Sequence, residues 1–150
     1  MNEKHDLALK NFKNGYNCAQ SVLSVLAPDL GLHQDIAMKL SSPFGSGIAY
    51  MQETCGAVTG ALMAIGLKYG KGENGTAEDK ERAYDFSRHF LTEFKHVHGS
   101  VCCRTLMENL DMSTPEGMVE ILKRDLFQLK CANHVRTAIT IAQKIVGNTN

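Results

Sequence analysis

The chain has 150 residues and a formal charge of zero, with 16 basic residues set against 16 acidic ones. That length suits one domain able to bury roughly 70% of the surface its unfolded chain exposes. The balanced charge argues against a surface built mainly for nucleic acid or anionic membrane, and the longest apolar stretch, 56–67, is too short to span a bilayer. The first residues, Met1-Asn2-Glu3-Lys4-His5-Asp6, lack the charged-then-apolar order of a signal peptide. A cytoplasmic protein is expected, and in that compartment cysteines are more often reduced, metal-bound or catalytic than paired in structural disulfides.

The periodicity is helical almost throughout. A first helix is predicted over 5–12, stopped by Asn14-Gly15. Asn17 caps a second, with Gln20 completing a capping box, and Pro28 ends it. A short third helix covers 34–40. The segment 41–53 breaks the pattern with Pro43, Gly45 and Gly47. It is read as a compact loop, because Phe44, Ile48, Tyr50 and Met51 are too apolar to be freely solvated.

Thr54 is expected to cap a helix from Cys55 to about Tyr69, and the glycine-rich stretch 70–75 reads as exposed and flexible. Thr76, with Asp79 as box partner, starts a long helix to His98 that stops at Gly99. A short helix is expected from Ser100 or Val101 through Cys103 to Leu110. Thr114-Pro115-Glu116 restarts the chain, since proline suits the first helical position, and a last helix is expected over about 131–146. The sum is an all-α fold: one compact helical bundle of six to eight helices spanning residues 1–150.

Cys18, Cys55, Cys103 and Cys131 are far apart in sequence, yet each falls at or near a predicted helix start. Unpaired N–H groups and a partial positive charge there favour thiolate over thiol. Four such thiols gathered by one fold would make a redox or metal site. No CxxC is present, so the common small zinc and ferredoxin modules are absent and distant helices must assemble any site. Cys102 and Cys103 are adjacent, and vicinal cysteines rarely ligate one metal; one of the two is therefore spare. Gly56 and Gly60, one turn apart, each cost their helix about 1 kcal/mol relative to Ala. They imply either a tightly packed neighbouring helix or room beside Cys55 for a cofactor.

These residues resemble the C_GCAxxG_C_C family of redox-active proteins. The resemblance rests on Cys18, Cys55-Gly56-Ala57-Val58-Thr59-Gly60, Cys103 and Cys131 in order, and on surrounding text such as Gly15-Tyr16-Asn17-Cys18-Ala19-Gln20 and Cys103-Arg104-Thr105-Leu106. It implies an all-helical domain with four characteristic cysteines, and redox chemistry or an iron–sulfur-type or other metal cofactor held by them. Cys103 matches the family's position, so Cys102 is the spare. Absence of CxxCH argues against covalent c-type haem.

Other candidates are weaker. His134 shares a helix face with Cys131, but a core or surface histidine is the better reading; His89 and His96 suit an exposed face. The loop 43–47 does not follow a strand and is no phosphate cradle, although it could wall the cysteine site. Glu53 reads as an exposed carboxylate. Three functions follow: a cysteine-ligated iron–sulfur or other metal centre for electron transfer, a metal-free dithiol–disulfide protein, or a non-catalytic helical binding module. An exposed cysteine pocket would suit an undetermined redox partner or a homodimer.

Overall fold

The computed structural model describes residues 2–147; Met1 and residues 148–150, part of the expected 1–150 domain, lie outside the described residues. Eight right-handed helices carry the described chain: α1 (Glu3–Lys13), α2 (Cys18–Leu26), α3 (Gln34–Ser41), α4 (Gly56–Tyr69), α5 (Ala77–His98), α6 (Cys103–Leu106), α7 (Pro115–Lys123) and α8 (Ala132–Val146). The expected all-α architecture is present. No strand forms among the described residues; a single antiparallel bridge joins Thr54 to Cys102.

Local chemistry sets most helix ends. Asn17 and Gln20 make the full capping box of α2, and Thr76 and Asp79 that of α5. Gly99 closes α5 with φ +86°. The Thr114 hydroxyl accepts the Gly117 N–H behind Pro115 and so begins α7.

Four predicted ends are corrected by longer-range contacts. Thr54 does not cap α4: it lies opposite Cys102 in the bridge, whose bonds are made by Cys55 with Val101 and Cys103 with Glu53, and Cys55 occupies the cap position so that Gly56 begins the helix. Neither Ser100 nor Val101 starts α6; Cys102 is its cap, and the Ser100 hydroxyl accepts the Cys102 N–H. The helix ends at Leu106 rather than Leu110, because Glu108 and Asn109 turn left-handed. The last helix has no free start at Cys131. A π-helical turn, Phe127–Cys131, runs straight into α8, closed by the Ala132 N–H on the Phe127 carbonyl.

The predicted loop 41–53 holds the least expected backbone. After a 3₁₀ turn at Ser42–Phe44, five consecutive residues, Ser46 to Tyr50, have φ between +51° and +69°. Ser46, Gly47 and Ala49 also have ψ of 43–47°, so this is a left-handed helical turn. Four of its residues carry a Cβ, and each costs about 1–2 kcal/mol in this conformation.

Two hydrophobic clusters hold the fold. The larger joins α2, α4 and α8 through Val22, Leu23, Val58, Ile65, Val135 and Ile139, with Phe90 and Phe94 of α5 closing one side. The α2–α4 seam is close because Gly60 has no side chain: a Cβ there would meet the Ala19 carbonyl oxygen at 2.8 Å. The smaller cluster gathers Cys103, Met107, Met112, Ile121 and Leu126, with Phe127 and Cys131 packed on it.

Candidate functional site

A cavity of about 270 Å³ lies where the two clusters meet. Cys18, Cys55, Cys103 and Cys131 all line it. Cys18 and Cys55 come from the larger cluster, and Cys103 from the smaller one, against which Cys131 packs. Cys102 is outside the lining; it is half-buried, with its thiol donating to the Gln52 carbonyl at 3.5 Å. All five cysteines are free thiols. Among the described residues, no three His, Cys, Asp or Glu side chains are gathered closely enough to hold a single metal ion.

Each cysteine reaches the cavity by a different device. Cys18 is the first residue of α2, directly after its Asn17 cap, as its motif suggests. Cys55 is positioned by two short stretches lying side by side: its N–H donates to Val101 O at 2.7 Å, and the Cys103 N–H donates to Glu53 O at 2.7 Å. The same pairing therefore seats Cys55 and Cys103 together. Cys131 is carried by the π-helical turn, which places an extra residue in the helix just before α8. An ion-pair clip on the outside ties that turn to the end of α6: Glu108 faces Lys130 Nζ at 3.2 Å and an Arg124 nitrogen at 2.7 Å.

The left-handed turn forms part of the wall. Ser46 and Tyr50 line the cavity. Gly47, at φ +67°, lies so close to Cys103 that a Cβ would meet that residue's own Cβ at 2.6 Å. Gln52, left-handed at φ +56° and buried, holds the next segment. Its side-chain amide donates to Leu110 O at 2.8 Å and accepts the Met112 N–H at 2.8 Å. Its own carbonyl accepts the Arg104 N–H. One residue thus ties the turn, α6 and the Met112 wall together.

The electrostatics oppose the helix-start expectation. Burial pushes all four cavity thiols up, because an isolated thiolate loses its hydration there. Cys103 is raised to about 12 by burial and by its neighbours Cys18 and Cys102. Cys55 is raised well above the ordinary thiol range by burial and by Cys18. Cys131 rises through burial, Cys18 and Cys103, with Lys130 pulling the other way. For Cys18, burial outweighs the opposing N–H groups of Ser46, Ala19 and Gly56. The helix-start N–H groups are therefore present, but desolvation is the larger effect.

The two candidate glycines divide. Gly56 lines the cavity, and its missing side chain leaves room for Cys18 Sγ and the Phe44 carbonyl. Gly60, the other candidate, is not among the lining residues and packs its helix against Ala19. His134 is buried and lines the cavity, edge-on to His98 at 4.7 Å between ring centres. Its pKa is lowered to about 4 by burial, then by His98 and Lys130. His89 and His96 are exposed, as is Glu53, which contributes only its backbone carbonyl to Cys103. Met107, Met112 and Phe127 are lining residues that sequence spacing did not single out. Apolar positions of the smaller cluster carry no signal of facing a cavity.

Four cysteines on one cavity in an all-helical domain make a candidate redox site. The chain belongs to the family described as "Putative redox-active protein (C_GCAxxG_C_C)", whose model matches residues 16–145. No curated protein and no solved structure matches the chain. Among the described residues no helix is long and apolar enough to cross a membrane.

Proposed function

We propose that the cavity holds a multi-atom metal centre, an iron–sulfur cluster, on Cys18, Cys55, Cys103 and Cys131, and that the protein transfers electrons through it. The observation that carries this reading is the convergence of four distant cysteines on one cavity of about 270 Å³. A single ion would need at least three donors drawn round one point, and none of the described groups is so arranged. A centre with several metal atoms suits thiols spread over a cavity wall.

The donor chemistry fits such a group. Burial raises all four thiols, so metal-free protein holds them protonated at neutral pH. A bound cationic metal reverses that balance, because a coordinating thiol is deprotonated outright. The N–H groups of Ser46, Ala19 and Gly56 face Cys18, and those of Val58 and Ala57 face Cys55. Hydrogen bonds of this kind to the sulfurs tune a cluster's potential. When bound, the cluster would supply one-electron uptake and release; the protein supplies ligation, a low-dielectric wall and N–H donors. Free thiols at all five positions suit a reducing, cytoplasmic setting.

Dithiol–disulfide exchange is the second reading. It draws on the Cys18–Cys55 neighbourhood, since Cys18 is the side chain that most raises Cys55. The raised thiols count against it, because the attacking species is the thiolate. Anaerobic purification or reconstitution, followed by iron and sulfide analysis and an absorption spectrum, separates the two. Stoichiometric iron and sulfide with visible bands, lost in Cys55→Ser, is the expected result. A colourless metal-free protein that reversibly forms a Cys18–Cys55 disulfide would replace the cluster with the dithiol reading.

A further inference from the structure

The cavity has a second feature that its cysteines do not explain. Seventeen residues line it, and none is Lys, Arg, Asp or Glu, in a chain of which 21% is charged. Four of the chain's ten aromatic side chains, Phe12, Tyr16, Tyr50 and Phe127, line it as well. Three of its thiols, Cys18, Cys55 and Cys103, are buried and Cys131 is half-buried, whereas Tyr16 is 44% and Tyr50 61% exposed. Tyr50 stands there on a backbone of φ +66°, a conformation that costs a residue with a Cβ about 1–2 kcal/mol. The turn that the Gly47–Cys103 contact and the Gln52 clamp hold in place thus sets an exposed aromatic ring at the edge of a largely apolar cavity.

The polar groups on the wall are neutral. Ser46 and Gln128 bring a hydroxyl and an amide, while the Asn17 amide is taken up by the Gln20 N–H and the Ser42 carbonyl. His134 is nine-tenths buried and lines the same wall. Burial, His98 and Lys130 act on its ring, and no hydrogen bond does. Its neighbours His98 and Phe94 hold it by ring packing at 4.7 and 6.1 Å. An imidazole that lines the cavity and makes no hydrogen bond within the described residues can give an N–H to an oxygen arriving there.

We infer that the outer part of this cavity binds an uncharged aromatic molecule bearing a carbonyl oxygen, its ring set against Tyr16 and Tyr50 and its oxygen towards His134. A charged ligand would lose its hydration and meet no counter-charge on any wall. The ligand has only the part of this roughly 270 Å³ cavity that lies outside the thiols, well below the usual range of about 300–1,000 Å³ for drug-sized ligands, which limits it to a single ring. This inference rests on the proposed function only in taking the cavity as the working site, with the thiols on its wall.

The test pairs two molecules of one shape, 2,4,6-trimethylacetophenone and the 2,4,6-trimethylbenzoate anion. Neither alkylates thiols. Binding is followed by two-dimensional NMR on anaerobically prepared protein whose iron and sulfide are measured on the same sample. The expected result is that the ketone binds at least about tenfold more tightly than the anion and shifts the Tyr50 and His134 signals. Tyr50→Ala, at an exposed position, should weaken the ketone roughly two- to tenfold, with exposed Tyr84→Ala as the unchanged control. Iron-loaded protein that binds neither molecule, or binds both equally, overturns the ligand class and leaves the cluster standing. Metal-free protein that still prefers the ketone overturns the cluster and leaves the ligand class standing. Binding that survives Tyr50→Ala undiminished overturns the placement beside Tyr50.

Discussion

The place where Gly56 would carry a Cβ is the place that Cys18 Sγ occupies. The first residue of α2 and the first of α4 can share one corner only because one of them lacks a side chain. The same Gly56 N–H faces the Cys18 sulfur. A helix-weakening residue is thus kept where two cysteine-bearing helix starts meet.

Gly56→Ala tests that corner. The added methyl collides with Cys18 Sγ and lies 2.8 Å from the Phe44 carbonyl, a backbone atom that cannot swing aside. Overpacking of this kind costs about 1–3 kcal/mol, against a gain in helix propensity of up to about 1 kcal/mol. Urea denaturation should show a net loss. Gly66→Ala, in the same helix with nothing within 4 Å of its added Cβ, should instead stabilise by about 0.5–1 kcal/mol. Equal effects from the two would remove the proposed contact.

The buried thiols set an alkaline limit for metal-free protein. Cys103 is raised in the fold to about 12 from its ordinary value near 9, and its three cavity partners are raised too. Between those values the unfolded chain has released protons that the folded chain retains, so stability falls as pH rises. It should be level below about pH 9 and decline above it, and Cys103→Ser should make the decline shallower. With iodoacetamide at pH 8, half-buried Cys102 should be labelled before Cys18, Cys55 and Cys103, read by peptide mass spectrometry.

His134 sets an acid limit of the opposite kind. Its folded pKa of about 4 lies below the ordinary 6.5. Between the two, the unfolded chain binds a proton that the folded chain refuses. Stability is therefore full above about pH 6.5 and is lost as pH falls towards 4, by up to about 1.4 kcal/mol per pH unit. His134→Gln should flatten the denaturation midpoint across this window; a midpoint as steep as that of the parent protein would assign the acid sensitivity elsewhere.

Gln52 is the residue whose loss should loosen one cysteine selectively. Gln52→Ala leaves the Leu110 carbonyl and the Met112 N–H without their partner, a cost of about 1–3 kcal/mol. The backbone bond from the Arg104 N–H to the residue-52 carbonyl survives this change, so the loosening acts through the freed Leu110 and Met112 wall; alkylation of Cys103, which packs with Met112, should accelerate while that of Cys18, which is held by the α2 cap, changes little. Gln52→Glu keeps an acceptor for Met112 but buries a carboxylate with one oxygen against the Leu110 carbonyl, and should cost at least as much as Gln52→Ala.

Capping chemistry was readable along the chain. The Asn17–Gln20 and Thr76–Asp79 boxes and the Thr114-Pro115 start act within four residues of themselves, so their sequence pattern and their geometry coincide. Thr54 fits the same pattern but does not cap, because the Cys55 N–H is bonded to Val101 O, 46 residues away, and Cys55 itself takes the cap position. The left-handed turn was legible only as a break. Its conformation depends on the Gly47–Cys103 contact and on the Gln52 clamp, which couple residues more than 50 positions apart.

By itself the sequence determined the helical class, most of the helix ends and the four candidate cysteines, because periodicity, capping and motif spacing are local properties. Only the tertiary structure decided that those cysteines line one cavity between two hydrophobic clusters, that burial rather than the helix termini governs their protonation, and that Gly60 packs a helix while Gly56 makes room for a sulfur. Desolvation and close approach depend on which distant segments meet, and no single stretch of chain encodes that.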